Sequence, residues 1–175
     1  MFNVGSNAFQ NVKNRPKIKI GLTIFDLVIE IAGLAALLSM WIFLLSTYFK
    51  LPEIIPTHFN FSGEADGFGG KNEIWLLPAI ATFVFVLTTV LSFFPHIFNY
   101  PVIITEENAF RQYKNAVMLM RCLKLLIVVQ FELIVIQTIR IADGRVFILG
   151  WLQLLPVLIM LVVLLFFVIK SFIYK

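Results

Sequence analysis

Residues 115–142 read NAVMLMRCLKLLIVVQFELIVIQTIRIA, and this stretch decides the fold. A helix needs about 20 apolar residues to cross ~30 Å of hydrocarbon. The stretch is long and apolar enough, yet it carries Arg121, Lys124, Glu132 and Arg140. If it crosses a bilayer, the chain has four spans and both its ends lie on one side. If it lies flat on the surface, three spans remain and the C-terminus ends on the opposite side. Ahead of it stands Thr105-Glu106-Glu107-Asn108, where Thr105 can cap free backbone N–H groups and two carboxylates suit the helix dipole. The reading that follows is one long helix, its first turns in or near the headgroups and the rest crossing. Arg140-Ile141-Ala142-Asp143-Gly144-Arg145 then makes a tight turn into the next helix.

The rest of the chain agrees with a membrane setting. It has 175 residues, 60% of them hydrophobic and 14% charged, against roughly 25% charged in soluble domains. Residues 31–49, 74–98 and 146–169 carry no Asp, Glu, Lys or Arg and read as three further spans, the first starting near Leu22. The first apolar run exceeds a secretory signal, so it is expected to stay attached. The expected architecture is therefore an all-α integral membrane protein of four transmembrane helices in two hairpins. Residues 1–20 form a basic cytoplasmic segment, 21–98 the first hairpin, 99–114 a cytoplasmic connection and 115–175 the second hairpin. Residues 51–73 form an ordered extracytoplasmic loop between helices 1 and 2.

Orientation follows from the basic residues, which collect on the cytoplasmic side. Lys13, Arg15, Lys17 and Lys19 precede the first span, Arg111, Lys114, Arg121 and Lys124 follow the second, and Lys170 and Lys175 close the chain. Only Lys50, Lys71, Arg140 and Arg145 fall on the other side. Both termini are thus expected inside. Trp75 and Trp151 would then sit at the outer interface, where indole rings are favoured. The two segments around them, 75–78 and 151–156, share a Trp-Leu…Leu-Pro pattern. Interfacial Trp and first-turn Pro explain that similarity better than an internal repeat.

Two clusters carry what chemistry there is. In the loop, LPEIIPTHFNFSGEADGFGGKNE, Pro52 and Pro56 stiffen the start. Phe59 and Phe61 alternate with His58 and Asn60 as in a short strand, and Ser62-Gly63 and Asp66-Gly67 signal turns. Its aromatic residues are expected to pack down on the helix ends. His58, Asn60, Glu64 and Asp66 would converge, to bind a ligand or only to bond the loop's own backbone. One histidine leaves a zinc site incomplete, so no metal is expected. Nothing pairs a nucleophile with a base, so no enzyme and no cofactor is expected.

Within the membrane, Asp26 and Glu30 lie four residues apart on one helix face. Arg121, Lys124, Val128 and Glu132 form a stripe on the third helix. An unpaired charge in lipid costs at least ~2.5–3.5 kcal/mol, so Glu30 is expected to pair with Arg121 or Lys124, the two helices running antiparallel. The set is a register-fixing pair or, using Glu132 as well, an ion or proton path, unless Arg121 and Lys124 snorkel to the interface. Small residues Ala32, Gly33 and Ala36 would ease the contact if they face a neighbour. Gln130 and Gln137 offer hydrogen bonds to another helix or to a second copy of the chain.

The loop also carries a resemblance. Leu51-Pro52, Ile55-Pro56-Thr57-His58-Phe59-Asn60, Ser62-Gly63-Glu64-Ala65-Asp66-Gly67 and Lys71, set between two spans, resemble an uncharacterised bacterial membrane domain, domain of unknown function family 1648. That domain also occurs in SdpI-type immunity proteins, which protect a cell from its own secreted toxic peptide. The resemblance covers about residues 20–98, and residues 100–113 resemble a segment in short relatives. It implies a multi-pass protein of the bacterial cytoplasmic membrane. By analogy, the loop residues Pro56, His58, Asn60, Gly63, Glu64, Asp66 and Lys71 would recognise a peptide, toxin or envelope protein. A small transporter or channel component, and a structural subunit of a membrane complex, are the alternatives. The partners expected are the lipid bilayer and further copies of the chain in a homo-oligomer, and no nucleic acid, because the basic residues flank apolar runs.

Overall fold

The computed structural model describes residues 12–145 and 153–174. Four α-helices are present: α1, Ile24–Thr47; α2, Leu76–Leu91; α3, Ala109–Ala142; and α4, Leu154–Ile173. Between α1 and α2 lies an antiparallel pair of strands, β1, Ile54–Phe59, and β2, Ala65–Gly70. The chain is therefore helical with a small sheet, not all-α. Expected features at residues 146–152, including Trp151 and the first part of the fourth span, lie outside the described residues.

Each helix starts and stops for a local reason. Thr23 caps α1 in a reciprocal box: its Oγ1 accepts the Asp26 N–H at 3.2 Å, and Asp26 Oδ2 accepts the Thr23 N–H at 2.7 Å. Before α3, Thr105 Oγ1 accepts from the Asn108 N–H at 3.3 Å and Asn108 Oδ1 accepts from the Thr105 N–H at 2.9 Å. Glu106 and Glu107 thus precede the first turn of α3, which contains no acid. The second span is shorter than the charge-free run to Phe98. α2 ends at Leu91 because Phe94 precedes Pro95, and a residue before proline is biased away from helical geometry.

α3 is the central pillar. At 34 residues it is about 50 Å long, and α1, α2 and α4 all pack on it. Its neighbours are the apolar ones. Among the described residues, Ile24–Lys50, Lys71–Leu91 and Leu154–Ile173 are long and apolar enough to cross a membrane. α1 turns Ile29, Gly33, Leu37, Met40 and Leu44 inward and leaves a wide apolar face outside. Gly33 is where α1 comes closest: a Cβ there would meet Phe85 at 3.3 Å and the Leu125 backbone at 4.0 Å. Ala36 packs on the core, whereas Ala32 is exposed. Trp41 donates to Thr82 Oγ1 at 3.0 Å and ties α1 to α2.

α1 and α3 run parallel. Asp26 meets Arg121, Glu30 meets Lys124 and Ser39 meets Glu132, a nearly constant offset along both helices. The antiparallel expectation is overturned. Helices that alternate in direction place the first and third the same way. The termini-side ends of α1 and α4 therefore lie at one end of the bundle, and the strands at the other.

Residues 15–20 form more than a charged flank. Arg15, 9% exposed, donates to the carbonyl oxygens of His96 at 3.1 Å and Phe98 at 2.5 Å, and stacks over the Tyr100 ring. Tyr113 donates to the Pro16 carbonyl at 3.0 Å. Ile18 and Ile20 cover a small core of Ile104, Ala109 and Tyr113. Burial raises the Tyr100 hydroxyl pKa well above its usual value. The N-terminal segment thus clasps the link between α2 and α3.

Candidate functional site

The strand pair is built by its own turn. Asn60 Oδ1 accepts the Ser62 and Glu64 N–H groups at 2.9 and 3.0 Å, and Asn60 Nδ2 donates to Glu64 Oε2 at 3.0 Å. Gly63 takes φ 80°, a left-handed conformation open to glycine. Asn60, Gly63 and Glu64 therefore shape the turn. Lys71 donates to Glu53 Oε1 at 2.7 Å, closing the base of the hairpin. Pro56 and Ile55 are buried, with Ile55 in the main core beside Val135 and Ile139. Register puts His58 opposite Gly67, where a Cβ would meet His58 Cβ at 2.9 Å. Gly67→Val is accordingly expected to force the strands apart. Overpacking of this kind costs about 1–3 kcal/mol. Amide exchange over residues 54–70 should accelerate while the helices stay protected.

What the hairpin leaves outward is the His58–Asp66 pair. His58 Nδ1 contacts Asp66 Oδ1, and the two side chains are 72% and 46% exposed. Phe61 is 93% exposed and Phe68 63%. These two rings are left largely uncovered, contrary to the expectation that the loop's aromatic residues pack down on the helix ends. Tyr48, by contrast, stacks on Trp75 with ring centroids 4.7 Å apart. Beneath the pair is a cavity of about 480 Å³, walled by Phe59 and Phe61, by Asp66, and by Gln130, Leu154 and Val157 of the helices. Gln130 Oε1 is buried there without a hydrogen-bond partner among the described residues. Gln137, fully buried, donates to the Gly63 carbonyl at 2.7 Å and accepts from Gln153 Nε2. The hairpin is thereby fixed to α3 and α4. Sequence reading expected Gln137 to bond another helix or a second copy of the chain and missed its bond to the hairpin turn.

The charged residues of α1 and α3 gather as a set. Arg121 Nη1 lies 2.6 Å from Asp26 Oδ1, and its Nε lies 3.3 Å from Glu30 Oε1. Lys124 Nζ donates to Glu30 Oε2 at 2.5 Å and to Thr89 Oγ1 at 2.8 Å, and sits 4.6 Å from the Phe85 ring centre. Two carboxylates thus face two cations, and Lys124 is 1% exposed. Glu132 stands apart, accepting from Ser39 Oγ at 2.6 Å. Among the described residues, no group of three His, Cys, Asp or Glu side chains is arranged to hold a metal ion.

The family match bears on the hairpin. Residues 35–82 match the family described as Domain of unknown function (DUF1648). This stretch runs from the middle of α1, through the hairpin, into α2. A protein of Archaeoglobus fulgidus, described only as uncharacterized, is 34% identical over 92 residues. The alignment covers 48% of this chain and 50% of that relative, so the chain spans about half the length of the curated relative it matches. No solved structure matches. The segment with the most distinctive loop geometry is thus the one that carries the family likeness.

Proposed function

We propose that this is a four-span integral membrane protein whose hairpin is a recognition element on the extracytoplasmic face. The observation that carries this reading is the hairpin itself. It is pinned to the central helix through Gln137 and presents an exposed His58–Asp66 pair over an amphipathic cavity. A loop serving only to join two spans has no need of such an anchor.

The fourth crossing is supported by α3's position. Its charges turn toward partners on α1 and α2 rather than toward lipid, which removes the main objection to burial in a bilayer. The basic termini support a cytoplasmic location for both ends, in a bacterial cytoplasmic membrane. The likeness to SdpI-type immunity proteins belongs to this proposal and suggests an extracellular peptide, toxin or envelope protein as the ligand. The closed, charge-balanced cluster favours a register-fixing role over the transporter or channel alternative. A structural subunit would make no use of an exposed His–Asp pair.

The test is substitution at the surface. His58→Ala and Asp66→Ala are expected to insert normally and keep their melting temperature within about 2 °C, because surface ion pairs contribute 0–1 kcal/mol. They should abolish any protection the intact chain gives cells against secreted peptides or envelope stress. Unchanged protection in both variants would defeat the recognition reading.

A further inference from the structure

A second cavity, of about 520 Å³, lies far from the hairpin, where α1 begins and α4 ends. Its walls come from α1, α3 and α4. Arg111 and Lys114 line it from the first turns of α3, and Lys170 from the last turn of α4. Phe25, Met118 and Phe166 supply the apolar side. No acidic residue lines it. Among the described residues, none of the three cations has a carboxylate within ion-pair distance. Arg121 and Lys124 both have carboxylate partners, and buried Arg15 is held by the main-chain carbonyls of His96 and Phe98. Lys170 is instead held over three rings, 5.5 Å from Phe166, 5.8 Å from Phe167 and 5.5 Å from Tyr174. Such rings restrain a cation without neutralising it.

We propose that this cavity holds one anionic phospholipid of the bordering leaflet, its phosphate between Arg111, Lys114 and Lys170 and an acyl chain along Phe25, Met118 and Phe166. Three arguments converge. Charge complementarity is one-sided: three cations and no acid surround a space large enough for a headgroup. Depth is right, because the site sits at the ends of α1 and α4, two helices long and apolar enough to cross a membrane. The apolar wall suits an acyl chain as well, since Phe166 of α4 both lines the cavity and is 56% exposed on the outer surface. Basic pockets between transmembrane helices bind anionic headgroups for these reasons.

The experiment uses the full chain in mild detergent, with lipid retention read by native mass spectrometry. Wild type should retain one phosphatidylglycerol at least tenfold more strongly than phosphatidylcholine. Near the membrane surface each basic residue contributes a factor of about five. The triple variant R111Q/K114Q/K170Q should therefore fall to the phosphatidylcholine level. A control with the same change in net charge, K17Q/K19Q/K50Q, should keep the preference, because those exposed lysines do not line the cavity. M118W, which fills the apolar side without altering charge, should weaken retention too, so the proposal does not depend on the triple variant folding. Equal retention of both lipids by wild type would overturn it. So would equal loss in the control, unchanged retention in both cavity variants, or displacement of the lipid by 10 mM inorganic phosphate.

Discussion

Lys124→Met is expected to destabilise the bundle more than any other single substitution considered, by about 3–5 kcal/mol, the range for breaking a buried ion pair. The reason is arithmetic of charge. Asp26 and Glu30 are matched by Arg121 and Lys124. Methionine keeps the length and the apolar stem but removes the cation. Glu30 would then face Arg121 alone, and Arg121 is already 2.6 Å from Asp26. Thr89 would lose its donor as well. The midpoint of unfolding in a detergent titration measures the loss. Glu30→Gln in the same background tests the cause. If the two groups act as a pair, the double variant should recover part of the single-variant loss, with a coupling above ~1.5 kcal/mol. Simple additivity within ~0.5 kcal/mol would mean that Lys124 acts through its stem and not through Glu30.

The cluster also shows what sequence could reveal. Charges at 121, 124 and 132 in an apolar helix demand partners, and only Asp26 and Glu30 lie on another apolar helix. Their meeting was legible because an unpaired charge in lipid is so costly. The direction of packing was misread, although four alternating helices already require the first and third to be parallel. The three apolar spans were legible from uninterrupted runs, but the end of α2 was set by one proline inside such a run. Hydropathy averages over that signal.

The hairpin and the N-terminal clasp were harder for physical reasons. β2 reads Ala65-Asp66-Gly67-Phe68-Gly69-Gly70, and three glycines leave no alternation of side chains to detect. β1 contains Pro56, which usually demotes a strand. Asp66 and Glu64 differ in fate, one outward beside His58 and one bonded into the turn, although both are acids in a polar loop. Arg15 looked like one more basic residue beside a span. Its partners are main-chain carbonyls of residues 96 and 98, and carbonyls carry no mark in a sequence.

Gln137→Leu is expected to separate the two halves of the recognition proposal, the pinned hairpin and the exposed pair. Leucine fits the volume roughly but leaves the half-buried Gly63 carbonyl without its donor, and the half-buried Gln153 without its acceptor. An orphaned polar group costs about 1–3 kcal/mol when fully buried, and these two half-buried groups can regain part of that from water. The loss falls on the hairpin first, since Ile55 and Pro56 still bury their side chains against α3 while the turn at Gly63 is freed. Amide exchange over residues 60–66 should rise about tenfold or more, whereas exchange in the middle of α3 stays slow. His58 and Asp66 remain chemically intact in this variant. If recognition depends on a preorganised surface, Gln137→Leu should weaken it nearly as much as removing the pair, because ordering the turn then has to be repeated on each binding event. Full recognition by a hairpin with accelerated exchange would mean that the pair alone suffices and the anchor serves stability only.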